Sequence, residues 1–164
     1  MTAKTKAPFN FGKFNVAKAT DTPIEIELFL PFDARDDDGN ILIKENDKLG
    51  VFISVVGRES RTFKAYARKQ QDAETLARYQ RELNNEPELP ATSEENERKL
   101  ADLIAHCVTG WRTVIDGKSE PVIYEGPDAI EFSTEACREW LLKYDWAAPQ
   151  IFNATGDLSN FIRA

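Results

Sequence analysis

The side chains able to do chemistry are few, and their spacing argues against catalysis. His106 is the only histidine in the 164 residues, and it adjoins Cys107, one of two cysteines. One histidine rules out any multi-histidine metal site and makes every nucleophile–base pair depend on a single imidazole. Adjacent helical positions point about 100° apart, and the surrounding pattern predicts a helix here, so His106 and Cys107 are poorly placed to share a proton. The chain has no glycine-rich phosphate loop, no closely spaced cysteine pair and no G-x-S-x-G turn. Asp33, Asp36, Asp37 and Asp38 before Gly39 faintly resemble a calcium loop, with Glu45 at the bidentate position, but no helical pattern flanks them. The reading is a non-enzymatic chain with no cofactor and no metal, in which Cys107 and Cys137 are buried thiols of a reduced protein.

Composition supports that reading. A hydrophobic fraction of 41% and a charged fraction of 30% are ordinary for a globular chain, and the length suits one domain. The net charge of -7 repels nucleic-acid phosphates unless a basic face is segregated, and the folded part shows none. The chain lacks both an apolar run of about 18 residues and the apolar core of a signal peptide. A cytoplasmic protein without nucleic-acid or membrane partners is expected. The charge is uneven: residues 1–20 hold Lys4, Lys6, Lys13 and Lys18 and no acid, which leaves the rest at -11. These residues form a basic arm carrying Phe9, Phe11 and Phe14, expected to be flexible, to lie as a strand against its own domain or to bind a partner.

The positioning elements follow from periodicity and punctuation. In 21–57, Ile24, Ile26, Leu28 and Leu30 alternate with Glu25, Glu27 and Phe29, and Val51, Ile53 and Val55 share a second strand face, which together predict a small antiparallel sheet. Residues 58–164 read as helical. Ser60 caps a helix whose apolar side is Phe63, Tyr66, Ala67, Ala73, Leu76 and Leu83 and whose first half is basic. Asn84, Asn85, Pro87 and Pro90 mark a linker over about 84–91. From Thr92 to Trp111, a capping box of Thr92 and Glu95 opens a core helix with Leu100, Leu103, Ile104, Cys107, Val108 and Trp111 on one face. Asp116-Gly117 marks a tight hairpin turn, Ser133 caps a helix carrying Ala136, Trp140, Leu141 and Tyr144, and Pro149 opens a last helix that Gly156 interrupts. The expected fold is α+β: a small N-terminal antiparallel β-sheet followed by a mainly α-helical C-terminal part.

Two stretches resemble the tail assembly chaperones of long-tailed, siphovirus-like bacteriophages. The first is GVFISVVGRESRTFKAYARKQQ, residues 50–71, similar to that family's strand, glycine, Ser turn and basic helix. The second comprises GWRTVIDGK at 110–118, EFSTEACREWLLKY at 131–144 and PQIFNATGDLSNF at 149–161, with Trp111, Asp116, Gly117, Phe132, Ser133, Asn160 and Phe161 at the matching positions. EPVIYEGPDAI departs from the pattern as a longer insertion. The resemblance implies a non-enzymatic protein of virion assembly in the host cytoplasm, absent from the mature virion, that binds the tape measure protein, keeps it soluble and helps recruit tail tube subunits. It further implies contact with the tail tube protein through a frameshifted longer form, and self-association. Trp111, Phe132, Trp140, Trp146, Phe152 and Phe161 are the partner-binding candidates. The alternative is a structural tail or connector protein of the virion. A nucleic-acid mimic fits less well, because the carboxylates alternate with Lys and Arg.

Overall fold

Strands from both halves of the chain build the main sheet. The computed structural model describes residues 7–162. A 3-10 turn at Phe11–Phe14 and helix α1 (Val16–Asp21) lead into β1 (Ile24–Phe29). The small hairpin of β2 (Ala34–Arg35) and β3 (Ile41–Ile43) precedes β4 (Lys48–Val55). Two helices follow, α2 (Arg61–Leu83) and α3 (Ser93–Ala105), then four strands: β5 (Val108–Ile115), β6 (Lys118–Glu120), β7 (Val122–Glu125) and β8 (Asp128–Glu131). Helices α4 (Thr134–Lys143) and α5 (Ala148–Gly156) and a 3-10 turn at Leu158–Asn160 end the described chain. The main sheet has the antiparallel order β1-β4-β5-β6, and β2-β3 and β7-β8 are separate two-stranded sheets.

The period-two alternation of β1 and β4 gives this sheet its buried face. Ile26 pairs with Ile53, and Ile53 pairs with Trp111 on β5. Against that row pack Cys137, Trp140 and Leu141 of α4, Ile151 of α5, and Ala101, Ile104 and Ala105 of α3. On the other face Arg112 reaches across to Glu25, with Nε 2.7 Å from a carboxylate oxygen, and lies 4.2 Å from the Phe52 ring centroid. Gln150 of α5 satisfies the sheet edge as a strand would: its amide nitrogen donates to the Phe29 carbonyl at 2.9 Å and its oxygen accepts the Phe29 N–H at 3.1 Å.

The expectation of a mainly helical C-terminal part is overturned. Eight strands in three sheets are interleaved with the helices, and four of those strands lie beyond residue 107. The helix from Thr92 stops at Ala105, and Trp111 stands on β5. A β-bulge explains the difference. Val55 pairs with Val108 and Ser54 with Gly110, so Thr109 is the extra residue, and Val108 and Trp111 both turn inward although three positions apart. That spacing continues the helical stripe of Leu100, Ile104 and Cys107 by coincidence. The β-branched residues Val108, Thr109, Thr113, Val114 and Ile115 were the opposing signal.

The insertion EPVIYEGPDAI becomes the β7-β8 hairpin. Gly126, with φ 60°, takes the first central position of its two-residue turn, as a type II′ turn requires. The hairpin closes over β5: Thr113 donates to the Val122 carbonyl at 2.7 Å, and the Trp111 indole N–H donates to the Ile130 carbonyl at 3.0 Å. The Asp116-Gly117 turn between β5 and β6 has φ of 51° and 78°, both left-handed, which sets the hairpin twist. Of the N-terminal arm, residues 1–6 lie outside the described residues. The remainder forms short helical turns instead of a strand, and Phe9 stacks on Phe14 with ring centroids 4.9 Å apart.

Candidate docking groove

Helices α3, α4 and α5 meet imperfectly and leave an apolar slot of about 370 Å³. Its formation follows from how each helix spends its apolar residues. On α3, Ala101, Ile104 and Ala105 are buried, while Leu100, one position round, stays 49% exposed. On α4, Cys137, Trp140 and Leu141 face the core and Leu142 is only half-buried. Ile151 of α5 is inside and Phe152 is half-buried, with the Arg58 guanidinium 4.2 Å from its ring centroid. Leu100, Ile104, Leu141, Leu142 and Phe152 therefore line a concave surface with Glu97 and Asp145 at its rim. The nearby cations are already engaged: Arg98 lies 3.9 Å from Glu139, Arg138 lies 3.5 Å from Asp102, and Lys143 lies 2.9 Å from Glu125. Glu97 and Asp145 have no ion-pair partner among the described residues. Pro149 borders this slot and a second, broader apolar depression that holds Trp146, Phe29 and Pro31.

The six aromatic candidates divide by burial. Trp111, Trp140 and Phe161 are buried. Phe132 is half-buried and meets Trp111 edge-on at 5.4 Å, so Trp111, Phe132 and Trp140 form an aromatic cluster between β5 and α4. Phe152 lines the slot, and Trp146 lines the neighbouring depression, edge-on to Phe32 at 6.1 Å. Leu100, Ile104 and Leu141 are legible in the sequence as apolar helix positions. Their sharing of one half-filled cleft depends on how three helices cross, which no local pattern encodes.

The potentially reactive groups are occupied in packing. His106 ends α3, stacks on Tyr66 at 3.6 Å and holds Nδ1 2.7 Å from the Asp102 carbonyl, while the Tyr66 hydroxyl donates to the Asp102 carboxylate. Burial, helped by that carboxylate, pushes the Tyr66 hydroxyl above its ordinary value. This cluster pins the start of α2 to α3. Burial pushes the Cys107 and Cys137 thiols up to about 12, so both stay protonated at neutral pH and neither offers a thiolate. In the acidic loop, Asp36 accepts the Asp38 N–H at 3.0 Å and the Asn40 N–H at 2.8 Å, so its carboxylate is spent on its own turn.

The class defined by fold and site is a mixed α+β protein with an acid-rimmed apolar groove between helices. Compared with protein-family models, with curated proteins and with solved structures, the chain matches none of them. No helix among the described residues is long and apolar enough to cross a membrane.

Proposed function

We propose that this chain is a tail assembly chaperone of a long-tailed bacteriophage, a non-enzymatic protein that uses the α3/α4/α5 groove to cover the apolar stripe of a helical tape measure protein. The observation that carries the reading is the groove itself: an open apolar slot with Leu100 exposed at its mouth and the carboxylates of Glu97 and Asp145 at its rim. Amphipathic helices dock in such slots through anchors at positions i, i+3 or i+4, and i+7. A long helical protein with apolar stripes aggregates unless those stripes are covered, and an acidic coat keeps the complex in solution. The sequence resemblance supplies the biological setting: action in the host cytoplasm, help in recruiting tail tube subunits, and absence from the mature particle.

Co-expression with the tape measure gene adjacent in the source phage tests the proposal. The expected result is a rise in soluble tape measure protein that co-purifies with this chain, and its loss on Leu142→Glu. A well-folded chain that leaves the partner insoluble and does not co-elute would refute it. Mass spectrometry of purified virions should find the chain missing, whereas a structural tail or connector subunit would be present.

A further inference from the structure

Strand β1 is an edge of the main sheet, and its neighbours fix where its backbone groups point. The Val56 N–H donates to the Cys107 carbonyl at 2.8 Å, so Val56 faces the β5 side. Backbone groups of successive strand residues point to opposite neighbours, so Val55 and Ile53 face β1, where Ile24 and Ile26 stand opposite them. Ile24 and Ile26 therefore spend their N–H and C=O on β4, and those of Glu25 and Glu27 point outward. Phe29 continues the alternation, with both of its outward groups held by the Gln150 side-chain amide. Where this edge has a partner, it is bound as a neighbouring strand would be. Among the described residues, no further strand pairs with β1 at Glu25 and Glu27.

An open trough of about 610 Å³ runs beside this edge, with Ile26, Glu27 and Phe29 on one wall and Trp146, Gln150 and Ala154 on the other. A smaller hollow of about 360 Å³ lies at Pro23, Ile24 and Phe161. Ile24 and Ile26 are about 7 Å apart, the distance between alternate side chains of any strand laid along them. On the opposite face of β1, Arg112 engages Glu25, while Glu27 accepts the Gly50 N–H at 3.1 Å and has no ion-pair partner among the described residues. We propose that the β1 edge takes an extended segment of a partner protein as an added strand, with apolar residues at alternate positions and lysine or arginine between them. The free N–H and C=O groups call for an extended backbone, and the two hollows take its apolar side chains. The basic residues then stand opposite Glu25 and Glu27, in a chain that carries -11 beyond residue 20. A second copy's β1 is disfavoured, because antiparallel pairing of two such edges sets these glutamates against their own kind. The trough shares only Pro149 and Asn153 with the α3/α4/α5 groove, so the inference stands apart from the partner proposed there.

The test titrates a fluorescent peptide, Thr-Val-Lys-Val-Lys-Val-Thr, into the full chain and follows amide hydrogen exchange by NMR. In the free protein the Glu25 and Glu27 amides should exchange fast and the Ile26 amide slowly, and saturating peptide should protect all three. Methylating the backbone nitrogens of both lysines leaves every peptide side chain in place and should abolish binding, because those nitrogens face Glu25 and Glu27. Replacing both lysines by glutamate should weaken binding roughly tenfold. The Leu142→Glu protein, altered only in the groove, should bind the peptide as the wild type does. The inference is overturned if millimolar peptide gives no protection, if the methylated peptide binds as well, or if the Glu25 and Glu27 amides are already slow in the free protein. Loss of binding in Leu142→Glu would also overturn it, by placing the peptide in the groove. Equal affinity of the glutamate peptide would overturn the basic character assigned to the partner. Solubility of the tape measure protein is read in a separate assay, so either idea can fail alone.

Discussion

Replacing Trp111 by alanine tests the buried, hydrogen-bonded placement of its indole on β5. The indole is 4% exposed, is paired on β5 with Ile53, lies edge-on to Phe132 and Trp140, and donates to the Ile130 carbonyl at 3.0 Å. Removing a buried aromatic to alanine costs about 3–5 kcal/mol through lost transfer energy and the cavity left behind. Orphaning the Ile130 carbonyl adds about 1 kcal/mol. With a urea m-value of about 2 kcal/mol per molar, the unfolding midpoint should fall by about 2–3 M. Trp111→Phe keeps most of the ring packing and loses the N–H···O bond, so its loss should be roughly 1–2 kcal/mol. Trp146→Ala, at the half-buried edge of a surface depression, should cost no more than about 2 kcal/mol. A Trp111→Ala protein that unfolds at the wild-type midpoint would refute the placement of the indole, and with it the bulged strand that turns both Val108 and Trp111 inward.

Three further outcomes follow from local geometry. Thr92 accepts the Glu95 N–H at 3.2 Å and Glu95 accepts the Thr92 N–H at 3.1 Å, so Thr92→Ala should destabilise by about 1 kcal/mol and Thr92→Gly by only a few tenths, read by thermal unfolding. A Cβ on Gly57 would lie 2.6 Å from the Cβ of fully buried Thr20, so Gly57→Ala should cost about 1–3 kcal/mol and speed proteolysis at α1; unchanged protection would show that α1 does not pack there. The hydrogen bond from Arg112 holds the Glu25 carboxyl below its ordinary value of 4.5, and that from Lys143 does the same for Glu125. Depressed folded-state values stabilise the protein above the unfolded value, and that contribution is lost as pH falls through the folded one. The urea midpoint should therefore drop between about pH 5 and about pH 3, and Arg112→Met should remove part of that slope; an unaltered slope would show that the pair does not couple to folding.

Segments whose structure is set by near neighbours are legible in the sequence. Ser60, Thr92 and Ser133 each accept a backbone N–H three residues on, as side-chain caps do. Pro149 lies in the first turn of α5, Gly156 is its last residue, and Asp116-Gly117 turns a hairpin. The strand faces of β1 and β4 follow from period-two alternation, because one side must meet a core. Of the candidate groove, the sequence marks Leu100, Ile104, Leu141 and Phe152 only as apolar positions in predicted helices.

Tertiary structure decided what depends on distant partners. Whether Trp111 ends a helix or sits in a strand turns on its pairing with Ile53, 58 positions earlier in the chain, and on the bulge at Thr109. Leu76 and Leu83 read as a buried helix face, yet nothing covers them within the described chain, because α2 is fastened near its start and then projects. An amphipathic pattern states that a face needs a partner; it does not say whether that partner belongs to the same chain. The groove exists because α3, α4 and α5 each bury one face in the core against the sheet and leave Leu100 and Phe152 incompletely covered between them, a matter of partners distant in the chain.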